Sequence, residues 1–214
     1  MFLTPRFVAM AQHYRLIDGT IEIDGVRMHQ TAHKTPRQDA AEKVVALQPK
    51  DGLVVLDICT GLGYSALSAA RRGCWVTTVE KDPRVLELAK KNKDSEGLFD
   101  HPRIRLVNQD ALLFVPTLAD GSFDLILHDP PRISLAGELY SEAFYRELFR
   151  VLKGGGRLFH YTGTPGSGSG KNIPRGVKAR LQAAGFEGLV WREELLGFLA
   201  KKPTTARRRP SRLL

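Results

Sequence analysis

The chain has 214 residues, 43% of them hydrophobic and 26% charged, with a formal net charge of +9. That is enough for one domain with a substantial core. No apolar run approaches the roughly 20 residues a bilayer span needs, so a membrane partner is excluded. Cys59 and Cys74 are the only cysteines and form no C-x-x-C, which excludes a disulfide scaffold and a zinc site. The histidines are scattered and no metal is expected. The first residues lack the long apolar stretch of a signal peptide, and a cytoplasmic location is the expectation.

In chain order, residues 3–13 are expected to form a short helix. Residues 14–29 hold two Asp-Gly pairs, Asp18-Gly19 and Asp24-Gly25, between short alternating runs. Asp-Gly suits two-residue hairpin turns, whose central residues need φ > 0, so three short antiparallel strands are predicted. Residues 30–38 are polar, with His33, Lys34 and Arg37, and are read as crossing the sheet edge. Pro36 suits the first turn of a helix running to about residue 47.

Residues 53–58 are a β-branched apolar run of the kind found in a strand buried on both faces. They run into Asp57-Ile-Cys59-Thr-Gly61-Leu-Gly63, where two glycines allow a tight turn and close approach of a ligand to the backbone. A helix over 64–72 and a strand over 75–79 follow, and Glu80 closes the βαβ unit. An acid at that strand tip is placed to accept hydrogen bonds from two ribose hydroxyls. Asp82-Pro83 opens the next helix. A strand over 104–107 leads to Asp110, a candidate cap for a helix over 111–118.

The strand at 123–128 ends in His128-Asp129-Pro130-Pro131-Arg132. An amphipathic helix is expected over 140–152, ended by the glycines at 154–156 as a left-handed cap. Strand 157–161, a flexible stretch at 162–171, a helix over 174–184 and two strands at 186–192 and 196–201 complete the chain. Four arginines and no acid occupy the last dozen residues. Such a tail offers electrostatic contact to nucleic acid, or only a solubilising end. The division is residues 1–50 as helix, meander and connecting helix, 51–203 as the core domain, and 204–214 as a basic, disordered tail. The alternation predicts an α/β, doubly wound, mostly parallel sheet of about seven strands, with one antiparallel at the edge.

The glycine turn lacks the third glycine of a dinucleotide site, having Ala66 there, and it begins with an acid that would repel a pyrophosphate. An acid suits a cationic ligand instead. Here the chain resembles the class I (Rossmann-like) methyltransferases that use S-adenosylmethionine (SAM), whose first motif is an acid followed by G-x-G. Cys59 stands where that motif often has its first glycine. The resemblance implies SAM as cofactor, contacted by Asp57, Cys59, Gly61, Gly63, Tyr64, Ser65, Glu80, Lys81, Asp110, Ala111 and His128. Asp110 would take the adenine amino group; Tyr64 covers the nucleoside or simply packs.

Asp129-Pro130-Pro131 matches the D/N-P-P of amino-group methyltransferases, where the carboxylate or amide and a proline carbonyl accept from the target N–H groups. The resemblance therefore assigns transfer to Asp129 and Pro130, with His128 and Arg132 beside them. Arg132 replaces the family's aromatic residue and can stack on a base or grip an anion. His128 holds the ligand's methionine end, relays a proton, or is a buried structural histidine; His160 is read as packing.

The stretch from Asp24 to Thr31 is similar to a segment of the spermidine synthase family, which places a small β unit before the same core. That resemblance implies aminopropyl transfer from decarboxylated SAM, with Asp129 as base. Methyl transfer to an amino nitrogen is preferred, because a polycationic amine calls for several acids and this chain is basic. An inactive nucleic-acid-binding protein is the reading from another class. The acceptor, small molecule or nucleic acid, and the oligomeric state stay open.

Overall fold

Strand and helix alternate from residue 54 onward because apolar runs bounded by turns alternate with amphipathic stretches that bury one face. The computed structural model describes residues 13–29, 34–163 and 173–204. The helix expected at 3–13, the 162–171 stretch beyond Gly163 and the basic tail beyond Thr204 lie outside the described residues.

The meander is present as β1 (Tyr14–Ile17), β2 (Thr20–Ile23) and β3 (Val26–Arg27), all antiparallel. Its two turns use Asp18 and Asp24, both at φ 49°, followed by Gly19 and Gly25 at φ 71° and 80°. Paired positive φ values are what a tight hairpin between right-twisted strands requires. Helix α1 (Pro36–Ala46) starts on Thr35, whose side chain accepts from the Gln38 amide while the Gln38 side chain caps Thr35 in return.

The main sheet contains β4 (Val54–Ile58), β5 (Trp75–Glu80), β6 (Ile104–Asn108), β7 (Phe123–His128), β8 (Leu152–Tyr161), β9 (Glu187–Arg192) and β10 (Gly197–Lys201). Their spatial order is β6-β5-β4-β7-β8-β10-β9. The antiparallel strand is β10, paired with both β8 and β9, so it lies one place inside the edge rather than at it. The helices are α2 (Tyr64–Ala70), α3 (Pro83–Lys91), α4 (Ala111–Phe114), α5 (Ile133–Ala136), α6 (Glu142–Val151) and α7 (Ile173–Ala184).

Side chains alternate across β4 and β7. Leu56, Ile58 and Ile126 pack with Phe144, Leu148, Val177 and Leu181 of α6 and α7. Val55, Leu125 and Leu127 pack with Ala40, Val44, Leu67 and Val85 on the other face. This is the two-faced burial that continuous apolar strands demand. Ile21 of β2 belongs to the second cluster, so the meander is anchored to α1 and α2 by apolar packing.

One correction concerns the glycines after α6. They do not cap that helix, which ends at Val151 with Leu152 already extended. They lie within β8, where β7 pairing jumps from Leu152 to Arg157 while β7 advances only from Phe123 to Leu125. The surplus residues bulge, and Gly155 (φ 80°) donates its amide to the Lys202 carbonyl. A Cβ at Gly154 would meet the Thr204 carbonyl oxygen at 2.9 Å, so close backbone approach selects glycine there.

Candidate active site

The strand order reverses at β4, between β5 and β7, and the chain leaves both β4 and β7 at their carboxyl ends there. This switch point is where open α/β sheets take ligands. A cavity of about 600 Å³ opens over it, within the range of small-molecule sites. It is lined from one side by the glycine turn and the tips of β5 and β6. From the other side it is lined by Asp129 and Pro130, α1, the meander and the segment after β7.

The glycine turn is held by its own neighbours. Cys59 and Thr60 both donate their amides to the Val79 carbonyl at 3.0 Å. Gly61 and Gly63 take φ 54° and 77°, and a Cβ at Gly63 would stand 2.5 Å from buried Leu98. Cys59 itself sits at φ 71°, so the backbone keeps the left-handed bend although the residue is not glycine. Glu80 faces this turn: one carboxylate oxygen accepts from the Gly61 amide at 3.1 Å, the other from the Asp82 amide at 3.0 Å. Each oxygen keeps a further lone pair for a ribose hydroxyl. Burial raises the Glu80 carboxyl above its usual range, and the two amides oppose that rise.

Most of the expected cofactor residues come together here. Cys59, Gly61, Tyr64, Ser65, Glu80, Lys81, Asp110 and Ala111 all line the cavity. Asp110, which lines the cavity, also caps α4 and accepts from the Leu112 amide at 2.9 Å. Tyr64 donates its hydroxyl to the Gly19 carbonyl at 2.8 Å, tying the glycine turn to the meander.

Four expected residues do not line the cavity. Gly63 shapes the turn from behind. Asp57 is buried beneath it, with Ser65 donating to one oxygen at 2.9 Å and Thr78 to the other at 2.7 Å. Burial pushes its carboxyl up to about 7, against the pull of those two hydroxyls. The acid therefore braces the bend. His128 is fully buried under the Asp-Pro-Pro loop and donates Nε2–H to the Leu139 carbonyl at 3.0 Å. Burial drops it to about 4, so it is neutral and packs at 4.4 Å ring separation from His160, which shares a 2.7 Å hydrogen bond with the Tyr145 hydroxyl. This is the packing alternative, for both histidines. Arg132 is exposed and is not among the residues that line the cavity.

Asp129 is partly exposed and Pro130 lines the cavity beside it. The loop is fixed from below, where the Tyr140 hydroxyl donates to the Pro131 carbonyl at 2.9 Å. Among the described residues, Asp129 Oδ2 accepts from Lys43 at 2.7 Å and Oδ1 has no hydrogen-bond partner.

Sequence reasoning missed Lys43, Asp39, His29, Tyr14 and Tyr161, which also line the site. Lys43 is 4% exposed and bridges Asp129 to Asp39, 2.8 Å away on the preceding turn of α1. Burial alone would lower its amine, but the two carboxylates outweigh it and hold the ammonium above the usual lysine range. His29 bonds Thr20 through Nδ1 at 2.8 Å, and its Nε2 is the atom nearest a Cβ built on Gly61, at 3.6 Å. Burial, with Lys43 nearby, lowers it to about 4, so it is a neutral ring above the turn. Tyr14 donates to Asp82 at 2.6 Å, closing the cavity next to Glu80. For Asp39 and Lys43 a signal existed: they fall on the same α1 stripe as Ala40, Val44 and Leu47, the core-facing stripe that is ordinarily apolar.

A methyltransferase-domain family matches residues 55–156, the span from β4 through the glycine turn and the Asp-Pro-Pro loop to the start of β8. The uncharacterized protein MJ1233 of Methanocaldococcus jannaschii is 51% identical over 195 residues, covering 89% of this chain and 67% of that protein. The chain has the class I SAM-dependent methyltransferase-like fold, and its methyltransferase-domain match covers just under half of it. It is also similar to a polyamine aminopropyltransferase of Pseudomonas syringae pv. tomato, at 32% identity over 157 residues. The match covers 70% of this chain and spans about half of that enzyme, 51% of its length. A spermidine synthase crystallised with the transition-state analogue AdoDATO has the same fold, with a TM-score of 0.70 at 20% identity. That alignment covers 87% of this chain and 67% of the synthase. Among the described residues no helix is long and apolar enough to cross a membrane, and no cluster of three or more metal-ligating side chains occurs.

The residues present fit a sulfonium nucleoside. The Gly61 backbone is open to the cavity, Glu80 offers two acceptors at ribose height, and Asp110 stands at the tip of β6. SAM bound here would supply an electrophilic carbon.

Proposed function

We propose that this protein is a SAM-dependent methyltransferase that acts on an amino nitrogen. The observation that supports this reading is Asp129: a carboxylate at the switch point, with one oxygen tethered to Lys43 and the other without a partner among the described residues. Asp129 Oδ1 and the Pro130 carbonyl accept from the acceptor's N–H groups, which aims the nitrogen lone pair away from them and across the cavity. SAM held beside Gly61 and Glu80 would supply a methyl group to that nitrogen, the carbon–sulfur electron pair staying with sulfur. The resulting ammonium then gives a proton to Asp129. Orientation supplies most of the acceleration, since an amine needs little help as a nucleophile once deprotonated.

Aminopropyl transfer is the second reading, favoured by the aminopropyltransferase relatives and by the small β meander that precedes the core. Calorimetry with SAM and with decarboxylated SAM separates the two. Methyl transfer requires SAM to bind at least as tightly as the decarboxylated form, and incubation with methyl-labelled SAM and a panel of amines must place label on nitrogen. Tighter binding of decarboxylated SAM reverses the order.

A further inference from the structure

The cavity's acceptor side contains an amine that belongs to the protein. Lys43 Nζ lies 2.7 Å from Asp129 Oδ2, 2.8 Å from Asp39 Oδ2 and 4.1 Å from the centre of the Tyr161 ring. Two carboxylates and an aromatic face are the surroundings that would bind an alkylammonium ion. The helix delivers this ammonium through an i,i+4 pair on its buried stripe, so the side chain cannot swing into solvent without opening α1 from the core. Asp39 has a second cation, Lys34, 3.8 Å from its other oxygen. Asp24 and Glu138, further acids on this side, are both exposed.

We infer that Lys43 is a specificity-determining residue: it fills the anionic subsite in which a second substrate ammonium would sit, so the acceptor is an amine with a single cationic centre and not a diamine or polyamine. The inference rests on the amino-nitrogen reading of Asp129. At the Asp129–Asp39 pair a diamine bringing two charges finds one free Asp129 oxygen and a fixed ammonium facing it. Like charges at that separation in a poorly hydrated site repel strongly.

The test is calorimetry in saturating S-adenosylhomocysteine, with butylamine and butane-1,4-diamine as matched probes. In the wild type the diamine should bind no more tightly than the monoamine. Lys43→Met uncovers Asp39 and Asp129 together, and should tighten the diamine at least tenfold relative to the monoamine. The double variant K43M/D39N should lose that gain, because the second carboxylate is gone. A wild type that prefers the diamine tenfold overturns the inference without any variant. So does a folded K43M, checked by circular dichroism, that shows no gain. If K43M is insoluble alone, recovery of folded protein only when the diamine is present supports the inference; K43M that stays unfolded in both amines overturns it. The SAM comparison above is a separate titration, so methyl transfer can fail while the amine ranking still judges Lys43.

Discussion

The two halves of the cavity are built in opposite ways. The glycine-turn half is made of local chain: Gly61, Glu80 and Asp82 lie within 22 residues of one another and hold each other through backbone amides. The acceptor half is assembled from distant pieces, with Lys43 and Asp129 separated by 86 positions and joined by one ion pair. A half made from adjacent elements is specified by turn geometry, and its failures should be failures of folding or cofactor affinity. A half made by tertiary assembly is specified by charge balance, and its failures should appear in acceptor choice and turnover.

The largest effect should come from breaking the local half at its bend. Gly63→Val places a branched side chain at φ 77° and against Leu98, and should cost about 3 kcal/mol or more in denaturant unfolding. Breaking the assembled half should leave the fold alone. Asp129→Asn keeps an acceptor oxygen but loses the negative charge that Lys43 pairs with. Turnover should fall about 100-fold, a scale typical of a lost proton acceptor, with S-adenosylhomocysteine affinity changed less than threefold. Glu80→Gln should do the reverse, weakening S-adenosylhomocysteine about 10- to 100-fold, the range for a lost hydrogen bond to a charged group, with the acceptor KM unmoved.

A smaller effect sharpens the comparison through pH. Asp57 titrates at about 7 in the folded protein against an ordinary 3.8, so the native state holds that proton more tightly than the unfolded chain. Its contribution to stability is fully present below about pH 4 and is lost as pH rises through about 7. Between pH 5 and 8 the wild type should therefore lose more denaturation midpoint than Asp57→Asn, which carries no such proton. The smallest expected change is a gain: Cys59→Gly relieves a left-handed residue at φ 71° and should stabilise by about 1 kcal/mol.

The same contrast explains what was legible in the sequence. The hairpin turns at Asp18 and Asp24, the helix starts at Pro36 and Asp82, the glycine turn and the position of Glu80 at a strand tip all follow from rules spanning a few residues, and they were readable. Lys43 was legible only as a charge on the apolar stripe of α1; its pairing was not, because Asp129 comes from another element and an i,i+4 Asp-Lys pair on a helix is usually a solvated face. His128 was ambiguous for a related reason: its place at a strand end suits chemistry, and only α6 and the Leu139 carbonyl show that it is covered. The glycines at 154–156 misled because glycine after a helix commonly caps it, whereas here Gly154 is crowded by the backbone of 203–204, Gly155 takes φ 80° and Gly156 is crowded by Leu152 and Lys153. The inward position of β10 depends on pairing across the sheet, which no local pattern encodes.

The account stands on the glycine-turn half receiving an adenosyl sulfur compound. Titration of the wild-type protein with S-adenosylhomocysteine in a calorimeter tests this most directly. Saturable heat at one equivalent per chain is the predicted result, and a flat titration accompanied by no rise in melting temperature would contradict it.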